Sequence, residues 1–297
     1  LRDAEGSGGG DYDAIVLVSG GKDSAYLLHR LVVEWPRLRL LGVLVDNGFM
    51  SPFAIENAAR VLETMNVPSL TIHPKPSFVN KVFRHTLTHL REQDGYSVVD
   101  LMDGHITFDH ARNMAVALGI RVVLCGMGPV QMEQAFGPAA VEIPAERLAV
   151  RLGMNGAPPA RNFDKEEMKF WFDPERHSPE QFPGFVLPLV AWNPTEEEIL
   201  RYVRRNGLMS ASRSRPLVTN NALVPVIAMA ELGQLGYCGW ELEFARMVRE
   251  GKSDRGYWLA LFEMAEYSAR TGRFVNKTVE ETLSRLGLTK QEVGISA

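Results

Sequence analysis

The chain has 297 residues, of which 45% are hydrophobic, 23% charged and 9% aromatic. Lys plus Arg number 32 and Asp plus Glu 36, giving a formal net charge of −4. These proportions exclude a disordered chain, the two cysteines, Cys125 and Cys238, exclude a four-cysteine zinc site or an all-cysteine iron–sulfur cluster, and the acidic balance removes any global pull toward nucleic acid.

The length fits about two domains of ~100–200 residues. No run reaches the ~18 apolar residues that span a bilayer, so no membrane attachment is expected. The first residues, with Arg2, Asp3, Glu5 and a glycine tract, lack the apolar centre of a secretory signal and read as a flexible arm over 1–12. Two cysteines without framework spacing fit a reducing cytoplasm.

Ala14-Ile-Val-Leu-Val18 is an apolar, β-branched run that reads as a buried strand. A glycine-rich turn, Ser19-Gly-Gly-Lys-Asp-Ser24, follows, and residues 25–33 read as a helix. A second buried strand over 40–45 ends at Asp46-Asn47-Gly48. Ser51 and Pro52 start a helix that runs to Met65. Residues 69–73 form a third strand, 79–91 and 108–118 two helices, and 121–124 a fourth strand ending at Cys125-Gly126-Met127-Gly128. Alternation of this kind predicts an α/β fold, a doubly wound parallel sheet with helices on both faces. Ligands of such sheets sit beyond the carboxyl ends of the strands. The special residues of this chain, Ser19–Ser24, Asp46–Gly48 and Cys125–Gly128, fall at those ends.

The second half changes character. Residues 156–159 form a loop, and 163–183 are rich in charge, aromatics and proline. Thr195 with Glu198 three residues later forms a capping-box pattern for a helix to about Arg205. Amphipathic helices over 257–271 and 278–286 complete a mainly helical region. The expected division is therefore 13–155 and 156–297.

Glycines in Ser19–Ser24 let the backbone approach a ligand closely. Backbone N–H groups and the start of the following helix favour an anion, typically phosphate. Lys22 adds charge, and Ser19 and Ser24 add hydroxyls. The spacing is neither GxxxxGK[ST] nor GxGxxG. A bare strand-to-helix turn is the plainer alternative.

The hexapeptide Ser19-Gly-Gly-Lys-Asp-Ser24 behind a first buried strand resembles the PP-loop of the N-type ATP pyrophosphatases, the adenine nucleotide alpha-hydrolase-like group with a HUP-like fold. The resemblance covers residues 13–130, and the segment from Pro188 is weakly similar to a later segment of several members. Among members, ATP-dependent thiolases and N-acetyl sugar amidotransferases look most similar around Val45–Met50. The resemblance implies ATP and Mg2+ as cofactors and an adenylation that forms AMP and pyrophosphate. Carried over by position, Ser19, Gly20, Gly21, Lys22 and Ser24 cradle phosphates, and Asp23 fixes the loop or engages magnesium. Val18, Val45, Asp46, Asn47 and Gly126 border the nucleoside.

The adenylated carbon is then attacked by sulfur or nitrogen. Cluster-bearing tRNA thiolases use clustered cysteines, and sugar amidotransferases carry extra cysteine motifs; this chain has neither. Cys125 ends the fourth strand, where a thiolate could carry sulfur, with Cys238 as its resolving partner. Packing is the competing reading of both. The leading expectation is sulfur transfer to a small-molecule acceptor, supplied by a desulfurase or sulfur-carrier protein. The runner-up is amidation with ammonia from a partner glutaminase. A nucleotide sensor that never turns ATP over is a third reading, against which Lys22-Asp23-Ser24 speaks. The charge and the lack of an aromatic–basic pattern argue against RNA.

Other groups have weaker claims. Asp103, His105, Asp109, His110 and Arg112 form either a substrate- or metal-facing cluster or a solvated helix start. Gln131 and Glu133, which follow the Gly126–Gly128 turn, are candidates to face substrate. His73, His85 and His89 read as structural, Arg213–Arg215 and Thr219–Asn221 as loop and cap, and Arg246, Arg249 and Lys252 as a solvated face. The aromatic helices near Trp240 and Trp258 cover the sheet or form a homodimer interface.

Overall fold

A computed structural model describes residues 1–297 except 9, 94, 95, 139, 141, 211, 213–220, 296 and 297. Its strands are β1 (Ala14–Leu17), β2 (Leu40–Val45), β3 (Ser69–Ile72), β4 (Val122–Leu124) and β5 (Gly184–Val186). Its longer helices are α1 (Lys22–Glu34), α2 (Pro52–Thr64), α3 (Pro76–Thr88), α4 (Val98–Leu118), α5 (Pro129–Phe136), α6 (Leu148–Arg151), α7 (Pro188–Trp192), α8 (Glu196–Arg205), α9 (Leu223–Leu235), α10 (Trp240–Arg249), α11 (Arg255–Thr271) and α12 (Asn276–Leu286).

The strands form one all-parallel sheet in the order β3-β2-β1-β4-β5. Val16 pairs with Gly42 on one side and Leu124 on the other, and Leu124 pairs in turn with Val186. Side chains alternate across the sheet, so each inner strand feeds two cores. Ala14, Val16 and Val18 pack with Leu27, Leu28 and Leu31 of α1, Ala58 and Leu62 of α2, and Ile199 and Val203 of α8. Ile15 and Leu17 pack on the opposite face with Phe108, Ala111 and Ala115 of α4, Met132 of α5, and Phe185. Burial on both faces is why β1 and β2 read as unbroken apolar runs. A Cβ at Gly42 would press on the end of the Leu62 side chain of α2, which would have to move.

The chain divides into two compact units whose segments interleave. The first comprises Leu1–Pro74, Ile106–Leu148 and Lys169–Asn220 and holds the sheet. The second comprises Lys75–His105, Ala149–Met168 and Asn221–Ala297 and is helical among its described residues. Residues 75–105 thus leave the first half, and 169–220 leave the second, across the expected boundary at 155. The second unit is built on α3, which buries Phe78, Val79, Val82 and Phe83, and on α9, which buries Leu223, Val226, Ile227 and Ala230. Helix α9 packs against α11 and α12.

Three local expectations shift. Helix α4 begins at Val98 rather than 108, because burial of Val98, Val99, Met102 and Ile106 outweighs the helix-weakening Gly104. Helix α3 ends at Thr88 and is followed by a short 3-10 turn, Leu90–Glu92. The region expected to be mainly helical also supplies β5, which extends the sheet. Among the described residues, no helix is long and apolar enough to cross a membrane.

Candidate functional site at the strand switch point

Strand order reverses between β1 and β4: the chain moves outward to β2 and β3 from one and to β5 from the other. A crevice opens beyond the carboxyl ends at such a point. The two segments that leave β1 and β4 are Ser19–Ser24 and Cys125–Gly128.

Val18 is buried, and its N–H donates to the Val43 carbonyl at 2.9 Å, which carries the sheet pairing to the edge of the loop. Gly20 then turns with φ +76°, and a Cβ at this position would collide with the Ala54 carbonyl of α2. Only glycine satisfies both conditions. Asn57 of α2, fully buried, donates its Nδ2 to the Gly20 carbonyl at 3.3 Å. Helix α1 starts at Lys22 with Gly21 as its N-cap, and no side chain caps its first turn. Its leading N–H groups therefore face the crevice with the positive end of the helix dipole behind them. Ser19 Oγ donates to Ser24 Oγ at 3.3 Å, and Ser24 Oγ donates to the Gly21 carbonyl at 3.0 Å.

Gly126 explains how the second segment reaches the first. A Cβ there would stand 3.3 Å from the Asp23 carbonyl group and from the Ser24 nitrogen, so the two strand-end loops meet backbone to backbone. Cys125 precedes it, half-buried, its N–H donating to the Val186 carbonyl at 3.1 Å. Burial pushes the Cys125 thiol up to about 11, although the Met127 and Gly126 backbone N–H groups act in the other direction. Gln131 accepts from the Gly128 N–H at 3.2 Å and so braces the start of α5.

Among the described residues, three charged side chains gather at the glycine loop. Lys22 Nζ lies 2.9 Å from Asp23 Oδ2 and 4.0 Å from Glu196 Oε1, the latter from the first turn of α8. The formal sum of these three groups is −1. Among the described residues, no group of three or more His, Cys, Asp or Glu side chains is arranged to hold a metal ion.

The end of β2 makes a pair of side-chain turns. Asp46 accepts from the Gly48 N–H and buried Asn47 from the Phe49 N–H, both at 2.8 Å, and Gly48 adopts φ +83°. Val45 is buried in front of them, and exposed His73 lies 3.4 Å from Asp46.

The cluster around Asp109 is neither solvated nor in a loop. Asp109 and Arg112 are fully buried and pair at 3.2 Å; Asp109 also accepts from the Phe172 N–H, and Arg112 donates to the Ile143 and Pro144 carbonyls. The Arg112 guanidinium lies 4.7 Å from the Phe185 ring centroid. This pair ties α4 to the chain following α5 and to the segment before β5. His110 is buried, bonded through Nδ1 to the Ile106 carbonyl, and burial lowers its pKa. Asp103 and His105 belong to the second unit, where Asp103 accepts from Asn221.

Cys238 also belongs to the second unit, buried, with its thiol pushed well up by burial and by Glu231. His85 and His89 stack at 3.8 Å. Arg246 and Lys252 both pair with Glu250 at 2.8 Å. Residues 213–215, 219 and 220 lie outside the described residues, whereas Asn221 accepts from the Leu223 N–H in a side-chain turn just before α9. Two residues at the site escaped sequence reasoning. Asn57 was visible as a lone polar residue on the apolar Ala54–Ala58–Val61 stripe; Glu196 was hidden in an acidic run.

No protein-family model matches the chain. An uncharacterized protein of Methanocaldococcus jannaschii is 42% identical over 65 residues, a stretch covering 22% of this chain and 23% of that protein, so the match reaches about a quarter of the relative's length. Among solved structures, the chain is similar to the U34-tRNA thiolase NcsA of Methanococcus maripaludis with its 4Fe-4S cluster: 12% identity, TM-score 0.45, covering 98% of this chain and 80% of that one. It is similar to NMN synthetase of Francisella tularensis at 14% identity and TM-score 0.39, covering 95% and 88% of the two chains. It is also similar to NH3-dependent NAD synthetase of Campylobacter jejuni at 10% identity and TM-score 0.39, covering 96% and 90%. At these identities, the residues of this chain carry the functional argument.

Proposed function

We propose that the first unit is an ATP-dependent adenylating enzyme of the PP-loop type, which forms AMP and pyrophosphate while activating a carbonyl or amide oxygen of a small molecule. The observation that carries this reading is the uncapped, glycine-shaped start of α1 placed at the β1/β4 switch point. Its donor set fits a phosphate chain: backbone N–H groups, two hydroxyls and one ammonium.

In this reading Gly20 and Gly21 admit the phosphates to backbone distance, and Ser19, Lys22 and Ser24 hold them. Asp23, exposed enough to reach solvent, is the carboxylate for Mg2+, an ion that commonly takes one or two carboxylates plus phosphate oxygens. Magnesium supplies neutralisation of the charge that develops on the departing pyrophosphate. Val18, Val45, Asp46, Asn47 and Gly126 border the nucleoside. Transfer of the acceptor oxygen onto phosphorus turns a poor leaving group into AMP.

For the incoming atom, sulfur is the leading reading, with Cys125 as its carrier because it ends β4 beside Gly126. Amidation by ammonia is a second reading, favoured by one observation. Burial holds the Cys125 thiol up at about 11, so at neutral pH it is protonated and a poor nucleophile. A sulfur-donor protein serves the first reading and a glutaminase the second.

Pyrophosphate release from MgATP, measured across small amide- and carbonyl-bearing acceptors, tests the adenylation. Release that needs an acceptor and disappears in Lys22→Ala supports it; MgATP bound without any turnover supports a sensor instead. Cys125→Ala divides the two nucleophiles. Loss of thiolated product with a persulfide donor, in the presence of a thiol that reduces the mixed disulfide, supports the carrier role, and full turnover with ammonium supports amidation.

A further inference from the structure

Three consecutive acids open α8, and they serve three different ends. Glu198 closes the capping box, accepting from the Thr195 N–H at 2.7 Å while Thr195 Oγ1 accepts from the Glu198 N–H. Glu197 points outward and pairs with Arg201 at 2.7 Å. Glu196 turns inward: its side chain is only 5% exposed, and its Oε1 stands 4.0 Å from Nζ of Lys22, which is 13% exposed and lies nearer, at 2.9 Å, to Asp23.

The placement is mechanically firm. Tyr26 of α1 meets Tyr202 of α8 edge-on at 4.8 Å, and His29 Nδ1 is 2.9 Å from the Tyr202 hydroxyl. Arg30 lies 3.8 Å from the Trp192 ring centroid in α7. Residues 26, 29 and 30 share one face of α1. Their contacts fix the register of α1 against α8 and bring the first turns of both helices together at the loop. The dipole of α8 further favours a carboxylate at position 196.

We propose that Glu196 is a positioning residue for Lys22. Together with Asp23, which hydrogen-bonds the ammonium, it holds Lys22 beside the loop when no phosphate is bound and yields it to arriving phosphate oxygens. Phosphate then competes with an internal carboxylate, which retakes Lys22 as pyrophosphate departs. This inference rests on the reading of Ser19–Ser24 as a phosphate-binding loop.

The test measures the affinity of inorganic pyrophosphate, with magnesium, by calorimetry. Glu196→Gln keeps the shape and removes the charge, and it should bind pyrophosphate roughly fivefold tighter, about the worth of one loosely spaced ion pair. Glu196→Asp keeps the charge and should remain near wild type. In a Lys22→Gln background the gain from Glu196→Gln should fall below about twofold, as a double-mutant cycle requires of a directly coupled pair. Unchanged or weaker binding by Glu196→Gln overturns the inference, as does equal tightening by Glu196→Asp. An equal gain in both backgrounds also overturns it, since simple removal of negative charge would then suffice. If the wild type binds neither pyrophosphate nor MgATP, the loop reading itself has failed; if it binds both and the variants match it, only the role of Glu196 has.

Discussion

Buried acids of the sheet-bearing unit and those around Glu231 in the helical unit have different partners. In the first, acids are met by cations. Buried Asp13 pairs with Arg39 at 2.7 Å, which holds its carboxyl far below the usual range; Asp109 pairs with Arg112, and Glu196 faces Lys22. In the second, buried Glu167 is likewise met by Lys81 at 2.6 Å, but Glu231 accepts from the Gly239 N–H at 2.7 Å and from Gln93 at 3.3 Å, both neutral donors. Burial therefore pushes Glu231 up, and it pushes Asp100 well up, with Glu231 and Asp103 adding repulsion. Burial around Glu231 and Asp100 thus favours their protonated forms, whereas pairing with Arg39 and, against the effect of burial, with Lys81 favours the ionised forms of Asp13 and Glu167.

Arg112→Leu should break this contrast most severely, by making the first unit hold an uncompensated buried acid. Loss of about 3–5 kcal/mol is expected in denaturant unfolding. A cost under about 1 kcal/mol would mean that Asp109 gains water or a proton cheaply. Gly20→Ala comes next. Positive φ costs roughly 1–2 kcal/mol for an alanine, and the Ala54 carbonyl blocks its Cβ. MgATP affinity should fall at least about tenfold, equivalent to ~1.4 kcal/mol, with the second unit untouched.

The pH response sharpens the comparison. Asp13 has a depressed folded pKa, so its contribution is present above about pH 4, the unfolded value, and is lost as pH falls through the folded one. Asp100 and Glu231 have raised folded pKa values, so their contribution is complete below about pH 4 and lost as pH rises. Between pH 5 and 8, hydrogen-exchange protection of α9, corrected for intrinsic rates, should decline more than that of β1. Asp100→Asn should flatten the decline, and equal slopes in both units would refute the assignment. Thr195→Ala is the smallest change. Loss of the cap should cost about 1 kcal/mol and loosen Glu196 without altering the sheet.

Much of the first unit was legible because β1, β2 and the glycine turn obey local rules: unbroken apolar runs, then glycines where the backbone must turn. Strand β5 was not, because Gly-Phe-Val is too short to show a period and becomes a strand only by pairing with β4. The interleaved units were illegible for a similar reason, since residues 75–105 acquire their partners from far along the chain. Asp109 and Arg112 carry an exposed-looking pattern, yet the carbonyls of Ile143 and Pro144 and the N–H of Phe172 enclose them. The cysteines shift in meaning too. Placement of Cys125 at the end of β4 follows from the strand pattern, but its protonated thiol follows only from burial.

The central claim is that a nucleotide binds across the ends of β1 and β4. Hydrogen exchange with and without MgATP tests it most directly. The account predicts new protection at residues 18–26 and 125–130 and none in α9. Exchange at 18–26 that is unchanged under saturating MgATP, or protection confined to the second unit, would contradict it.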